Sequence, residues 1–336
     1  MPSIDVPYHS DIDGLVHGSL LCPGQPTRQV TTAEALRWLA LPAAEQGQGF
    51  LWLHFALSNS GTVPWLNANL ALPESIVRSV QGDEAYPRLE FTGGLVLAVI
   101  KDVVYDFSLR ISEISTLFGI LSSKFLITLR NKQLKTVERL RQAVRSGEEF
   151  RSSTELLARL LLHQADVLEG IQRETNAKVD AMEDSLLANR RLSASSELAT
   201  LRRVLVRLQR LLSPEPAALY RLVNRPPDWM VKADLDGLRE AVEEFSVVIG
   251  DLRALNERIK LFQEELSVRE AERTNRTLFT LTLVTVLAIP FNVIGAMFGM
   301  NVGGIPFNQD PLGFWEVVGI VVVVTVAAFF VFRRRR

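Results

Sequence analysis

Asn275, Thr282, Thr285 and Asn292 follow one another at spacings of seven, three and seven residues within a largely apolar run. That spacing keeps them on one a/d-type seam of a helix, completed by Leu278, Ile289 and Ala296 and ending at Gly299. Directly after it stands Gly299-Met300-Asn301, then Val302-Gly303-Gly304-Ile305-Pro306. Amide and hydroxyl oxygens accept without carrying charge. A cation meeting them keeps much of its water and is held weakly, which suits a group that must also let it go.

Such polar groups are costly in hydrocarbon unless they face protein or water. A symmetric ring of helices, each turning this seam inward, would satisfy them. In the alternative, the threonines bond back to their own helix and the asparagines join helix pairs. Gly295 and Gly299 form a Gly-x-x-x-Gly pair suited to close helix packing. Pro290 leaves the Val286 carbonyl without its usual intrahelical donor, which fits either a kink or simple tolerance.

Extending the seam backward by sevens from Leu278 gives Ala271, Glu264, Glu257, Gly250, Glu243 and Asp236. The acids Asp236, Glu243, Glu257 and Glu264 would stack as rings in a symmetric assembly and concentrate cations. They would equally suit a solvated helix face, since a straight helix drifts about 20° per heptad from this register.

The elements that must position these residues follow from charge and length. No charged residue occurs from Thr277 through Gln309. Leu278 to Phe298 is 21 residues, enough to cross a bilayer core as a helix. Val317 to Phe332 is 16 uncharged residues, extended by Phe314 and Trp315 at the interface. Arg269, Arg273 and Arg276 precede the first run, and Arg333 to Arg336 follow the second. The loop between carries Asp310 and Glu316 but no Lys or Arg, so the positive-inside rule places both termini in the cytosol.

The chain of 336 residues has room for two or three domains, and its net charge of −1 argues against general nucleic-acid binding. Cys22 is the sole cysteine, which rules out an intramolecular disulfide. The first thirty residues hold Asp5, Asp11 and Asp13 and no apolar segment, so no signal peptide is expected. His9, His17, His54 and His163 show no metal-ligand spacing and read as surface or packed residues. No phosphate loop, nucleotide fingerprint, His-Glu-x-x-His or nucleophile elbow is present, so catalysis is not expected.

Residues 1–150 read as an α/β domain. Phe50–Phe55 is a strand candidate. Hairpins fit Pro87–Phe91 with Leu95–Val104, and Leu117–Leu121 with Phe125–Leu129. Short helices fit Thr32–Leu41, Ile76–Gln81 and Lys132–Ser146. Long helices fit Thr154–Asn189 and Ser193–Leu212, and a third runs from near Asp228 to Phe298 without meeting a proline before Pro290. The expected fold is therefore an α/β cytosolic domain, long stalk helices over 151–276, a first span at 277–298, an extracytosolic loop at 299–313, a second span at 314–332 and a basic cytosolic tail at 333–336.

This pattern resembles the CorA family of divalent-cation transporters. The resemblance covers most of the chain: the α/β domain, the stalk helix continuing into the first span, Gly299-Met300-Asn301 at its end, and the basic C-terminus. The following Val302-Gly303-Gly304-Ile305-Pro306 looks like the ZntB zinc-transporting branch. The resemblance implies a funnel-shaped homopentamer in the inner membrane, a pore lined by the first span, selection at Gly299, Met300 and Asn301, and a transported divalent cation with no resident cofactor. It also implies proton coupling, for which Thr277–Gln309 supplies no titratable group, leaving Glu316, Asp310 or the cytosolic acids. Zinc favours nitrogen and sulfur ligands, and this stretch has neither cysteine nor histidine, so the zinc expectation rests on the resemblance. A magnesium (or cobalt or nickel) channel of the same architecture is the near rival. A membrane-anchored binding or signalling module is the rival from another class, and an anchor would need no polar seam.

Overall fold

The structure, a computed structural model, describes residues 10–82, 86–104, 114–188, 194–300 and 311–334. The chain divides into two compact units, residues 1–261 and 262–336, with the division inside one helix.

The first unit is built on a seven-stranded sheet in the order β2-β1-β3-β7-β6-β5-β4. Its strands are β1 (Leu15–Leu21), β2 (Arg28–Gln29), β3 (Phe50–Ala56), β4 (Arg88–Thr92), β5 (Leu95–Val103), β6 (Ile114–Leu121) and β7 (Phe125–Arg130). Only β3 and β7 pair in parallel; every other neighbouring pair is antiparallel. The helices before the long bundle are α1 (Thr32–Leu39), α2 (Ala43–Gln46), α3 (Thr62–Asn69), α4 (Glu74–Gln81) and α5 (Lys135–Arg145). Then come α6 (Ser153–Leu187), α7 (Ala194–Leu212), α8 (Glu215–Asn224), α9 (Lys232–Phe298) and α10 (Gly313–Arg334).

Strand β3 is apolar at nearly every position because both faces of the sheet are covered. Successive side chains point to opposite faces. Leu51, Leu53 and Phe55 join one core with Ala35, Trp65 and Ile76 from the short helices. Phe50 and Trp52 join the other, with Leu140, Leu156, Leu222 and Leu238 from α5, α6, α8 and α9. Both expected hairpins form. Gly93 and Gly94 take φ of 61° and 78°, the left-handed pair that a two-residue turn between twisted strands requires. The Ser122 hydroxyl accepts from the Lys124 and Phe125 amides to close the β6–β7 turn.

Five elements of this unit, β1, β2, α2, α3 and α8, were not read from the sequence. Strand β1 is interrupted by His17, Gly18 and Ser19, which hide its alternation. Gly18 is there because a Cβ would lie 2.3 Å from the Val30 carbonyl oxygen. Helix α3 has almost no amphipathic contrast. Helix α8 was masked by prolines that read as breaks: Pro214 is its N-cap and Pro216 stands in its first turn, where a missing N–H costs nothing.

A polar network lies beneath β3 and β7. The His54 Nδ1 and Trp52 Nε1 both lie against Thr128 Oγ1, at 2.8 and 3.0 Å, and Arg130 Nε donates to His54 Nε2 at 2.7 Å. Accepting at Nε2 requires His54 to be neutral, with its proton on Nδ1. Burial and the nearby Arg130 hold its pKa well below the ordinary value. His17, bonded to Ser19 Oγ at 2.8 Å, is lowered to about 4, first by burial and then by Arg145 and Arg141. A histidine lowered in the folded state stabilises fully above its unfolded pKa near 6.5 and loses that contribution as pH falls toward 4. For His17 the loss is about 3 kcal/mol. Thermal unfolding of the full chain in detergent should therefore show a midpoint gap between wild type and His17→Gln that narrows from pH 7 to pH 4. A gap that is constant across this range contradicts the assignment.

Farther along β5, the strand outruns β4 at Lys101. Glu215 at the start of α8 accepts from the Lys101 amide, and Gln164 Nε2 of α6 donates to the Lys101 carbonyl at 2.6 Å. Two side chains thus complete the strand edge where no strand pairs. Burial pushes the Glu215 carboxyl well above the usual range.

Helix α9 enters the first unit through a heptad stripe, with Leu238, Phe245, Leu252 and Ile259 fully buried. Arg258 fastens it to α6, pairing with Asp180 at 2.7 Å and Glu183 at 2.5 Å and donating to Asn176 at 2.7 Å.

Candidate functional site

The second unit comprises the C-terminal part of α9 and α10. Among the described residues, α9 is the one helix long and apolar enough to cross a membrane, and no residue of its most apolar stretch is buried within the chain. Helix α10 carries a shorter apolar stretch, Gly313–Ala327.

The two helices lose exposure along matching stripes. On α9 these residues are Leu283, Val286, Leu287, Pro290 and Ile294; on α10 they are Gly313, Val317, Val321 and Thr325. Both sets recur at helical three- and four-residue steps, as two helices covering one another require. The polar seam is on another side of α9. Asn275, Leu278, Thr282, Thr285, Ile289, Asn292, Ala296, Gly299 and Met300 are all exposed. At 100° per residue the seam centres roughly 135° from the stripe facing α10. Among the described residues nothing covers it.

The seam residues differ in how they are satisfied. Thr282 Oγ1 donates to the Leu278 carbonyl at 2.8 Å, and Thr285 Oγ1 to the Leu281 carbonyl at 2.9 Å. The back-bonded form expected as the alternative for the threonines is therefore present. It uses their one proton and leaves their oxygen lone pairs as acceptors. The Asn275 and Asn292 carboxamides make no hydrogen bond to a described residue, so they are the seam's uncommitted polar groups.

At the C-terminal end of α9, the Gly299 amide donates to the Gly295 carbonyl at 2.9 Å. A Cβ on Gly299 would lie 3.0 Å from that same oxygen, so the tight closing turn favours glycine here. Among the described residues Gly295 has no atom within 4 Å of a Cβ position, so its close-packing capacity is unused there. Asn301 and the rest of the loop through Asp310 lie outside the described residues, as do Arg335 and Arg336.

In the first unit Asp236, Glu243 and Glu257 are exposed, on the side of α9 away from its buried heptad stripe; in the second unit Glu264 is exposed as well. They are not equivalent. Asp236 pairs with Arg239 at 3.0 Å and Glu257 with Lys260 at 3.6 Å. Glu243 and Glu264 have no ion pair among the described residues. Among the described residues no group of three or more His, Cys, Asp or Glu side chains is gathered for a metal. Any cation attraction on this face then depends most on Glu243 and Glu264. Replacing both with glutamine should lower cation accumulation about twofold to fivefold at low salt and weaken its salt dependence. Rates equal to wild type at low and high salt would leave these acids as a solvated face.

Comparison with known proteins places this geometry. The chain is 28% identical over 288 residues to the "Divalent cation transporter CmaX" of Pseudomonas aeruginosa, covering 85% of this chain and 87% of that one. It is 24% identical over 287 residues to the "Zinc transport protein ZntB" of Yersinia enterocolitica, covering 85% and 86%. The solved structure of full-length CmaX superposes with a TM-score of 0.82 at 26% identity, over 97% of this chain and 98% of that chain. The family model described as "CorA-like Mg2+ transporter protein" matches residues 47–334, which hold the parallel β3–β7 pair, the long helices and the polar seam, and the chain belongs to that family.

Proposed function

We propose that this chain assembles as a homopentamer that moves divalent cations, zinc first among them, across the inner membrane toward the cytosol. One observation carries the reading: the polar seam of α9 lies away from the stripe that meets α10 and runs to Gly299-Met300. Polar groups so placed need water or other copies beside them. A ring of copies gives both, with Asn275, Leu278, Thr282, Thr285, Ile289, Asn292 and Ala296 lining the path and Gly299, Met300 and Asn301 at its outer mouth. Unpartnered Gly295 then serves contact between neighbouring first spans.

In this reading residues 1–150 and 151–276 are cytosolic, 277–298 and 314–332 span the bilayer, and 299–313 face outward. The basic flanks and the Lys- and Arg-free loop support that orientation. The protein carries its cargo without catalysis. Zinc is preferred because relatives named as zinc transporters match over most of their length. Magnesium is the second reading, supported by the family's description and by a seam of neutral oxygens that suits a hydrated hard cation. Purified protein in liposomes, given zinc or magnesium with and without a pH gradient, separates them. Zinc entry exceeding magnesium entry supports the first reading; magnesium entry alone replaces it with the second; entry of neither defeats both.

A further inference from the structure

The long helices of the first unit divide their charge between two sides. From Leu198 through Pro214 the chain holds four arginines and no acid. Helix α7 buries Leu198, Leu205, Leu208 and Leu212, and Arg203, Arg207 and Arg210 stand exposed on the opposite side. Arg203 donates to Thr200 Oγ1 at 3.2 Å, and none of the three arginines has an ion pair among the described residues. Helix α7 meets one flank of α9 through Gln209 with Asn256 at 3.4 Å and Ser213 with Arg253 at 3.2 Å. Helix α6 meets the other flank through Arg258. Glu244 and Asp251 precede Arg258 by fourteen and seven residues and so share its flank. Both are exposed and have no ion pair among the described residues. On α6, Glu169 and Glu174 are matched by Arg173 and Lys178. Asp180 and Glu183 share the single charge of Arg258, and exposed Asp184 has no ion pair among the described residues. The α6 side thus keeps unmatched acids, and the α7 side keeps unmatched arginines.

We propose that these two sides meet between copies of this chain. Arg203, Arg207, Arg210 and Arg253 of one copy lie against Asp180, Asp184, Glu244 and Asp251 of the next. The two surfaces differ, so the contact is heterologous, and repetition about a closing rotation makes a ring. This rests on the pentameric reading above and names the surfaces that join its copies. Both sides adjoin the same turns of α9, residues 253–258, so copies related by an axis along that helix bring them to one height. Opposite charges steer the copies together and penalise contacts of acid with acid or base with base. Glu243 lies between the two flanks on α9 and stays free to attract cations.

Two measurements on the full chain in detergent test this. The first follows particle mass on dilution. Arg207→Glu with Arg210→Glu makes both sides acidic, and Asp184→Lys with Asp251→Lys makes both sides basic. Each pair of substitutions should move dissociation to a concentration at least about tenfold above wild type. The two variants mixed should associate with one another, and all four substitutions in one chain should restore the wild-type mass. The second measurement applies a carbodiimide to Arg207→Lys in a mixture of isotopically heavy and light chains. Links from position 207 to Asp180 or Asp184 should join a heavy chain to a light one. A wild-type chain that stays monomeric overturns both this proposal and the pentamer. A wild-type pentamer whose links from position 207 stay within one chain overturns this proposal alone. So do charge-reversed variants that assemble as tightly as wild type. So does an arginine reversal whose sole effect is lost binding to anionic-lipid vesicles, which gives this face to a membrane surface.

Discussion

Replacing Asn301 with alanine should reduce cation uptake by at least about tenfold while leaving expression and assembly intact. Helix α9 ends at Phe298 and closes through the Gly299 amide, so Asn301 is the second residue beyond that turn. Within the proposed pentamer, five carboxamides at this level make a neutral ring of acceptors for an ion or its water shell. Dipoles attract a dication without the grip of carboxylates, which permits release. Asn301→Asp should therefore bind cations more strongly at the mouth and pass them more slowly. Asn301→Gly separates the ion role from a backbone one, because asparagine also favours helix ends through left-handed conformations that glycine adopts freely. Loss of uptake in the glycine variant supports the ion role, and full uptake rejects it.

Asn292→Leu should also stop uptake, by about tenfold or more, through a different cause. Asn292 is exposed on the seam, and its carboxamide makes no hydrogen bond to a described residue. Five added isobutyl groups at one level would line the proposed path with hydrocarbon and favour dewetting. Thr285→Val, one step back on the seam, should cost less. The Thr285 hydroxyl already spends its proton on the Leu281 carbonyl, and only an acceptor is lost. Uptake by liposomes, normalised to assembled protein, distinguishes the two. Normal flux in Asn292→Leu would remove the seam from the path.

Much of this is legible in the sequence, for physical reasons that differ by region. The helix from near Asp228 to Phe298 could be read because no proline interrupts it before Pro290, and it forms as Lys232–Phe298. The hairpin at Gly93-Gly94 was legible because only glycine takes two left-handed residues cheaply. Strand β1 was not, since His17 and Ser19 satisfy each other inside the core and so look like surface residues in sequence. Helix α8 was not, because proline ends one helix and begins another with the same letter. At the site, the seam's register was readable from spacing alone. The stripe that faces α10 was not, because Leu283, Leu287 and Ile294 differ in no chemical way from the apolar residues around them. The inequivalence of the four acids on α9 was not legible either: Asp236 and Glu257 are paired with cations three residues away, where Glu243 and Glu264 have no ion pair among the described residues.

The central claim is that cations pass along the face of α9 that carries Asn292. The most direct measurement places a cysteine there, Asn292→Cys in a Cys22→Ser background, and follows zinc entry into liposomes before and after a charged thiol reagent. A parallel protein carries Leu287→Cys, on the stripe that meets α10. The account predicts that the reagent blocks entry at position 292, that zinc present during treatment slows the block, and that position 287 is unaffected. Entry that continues unchanged after full modification of position 292 would contradict it.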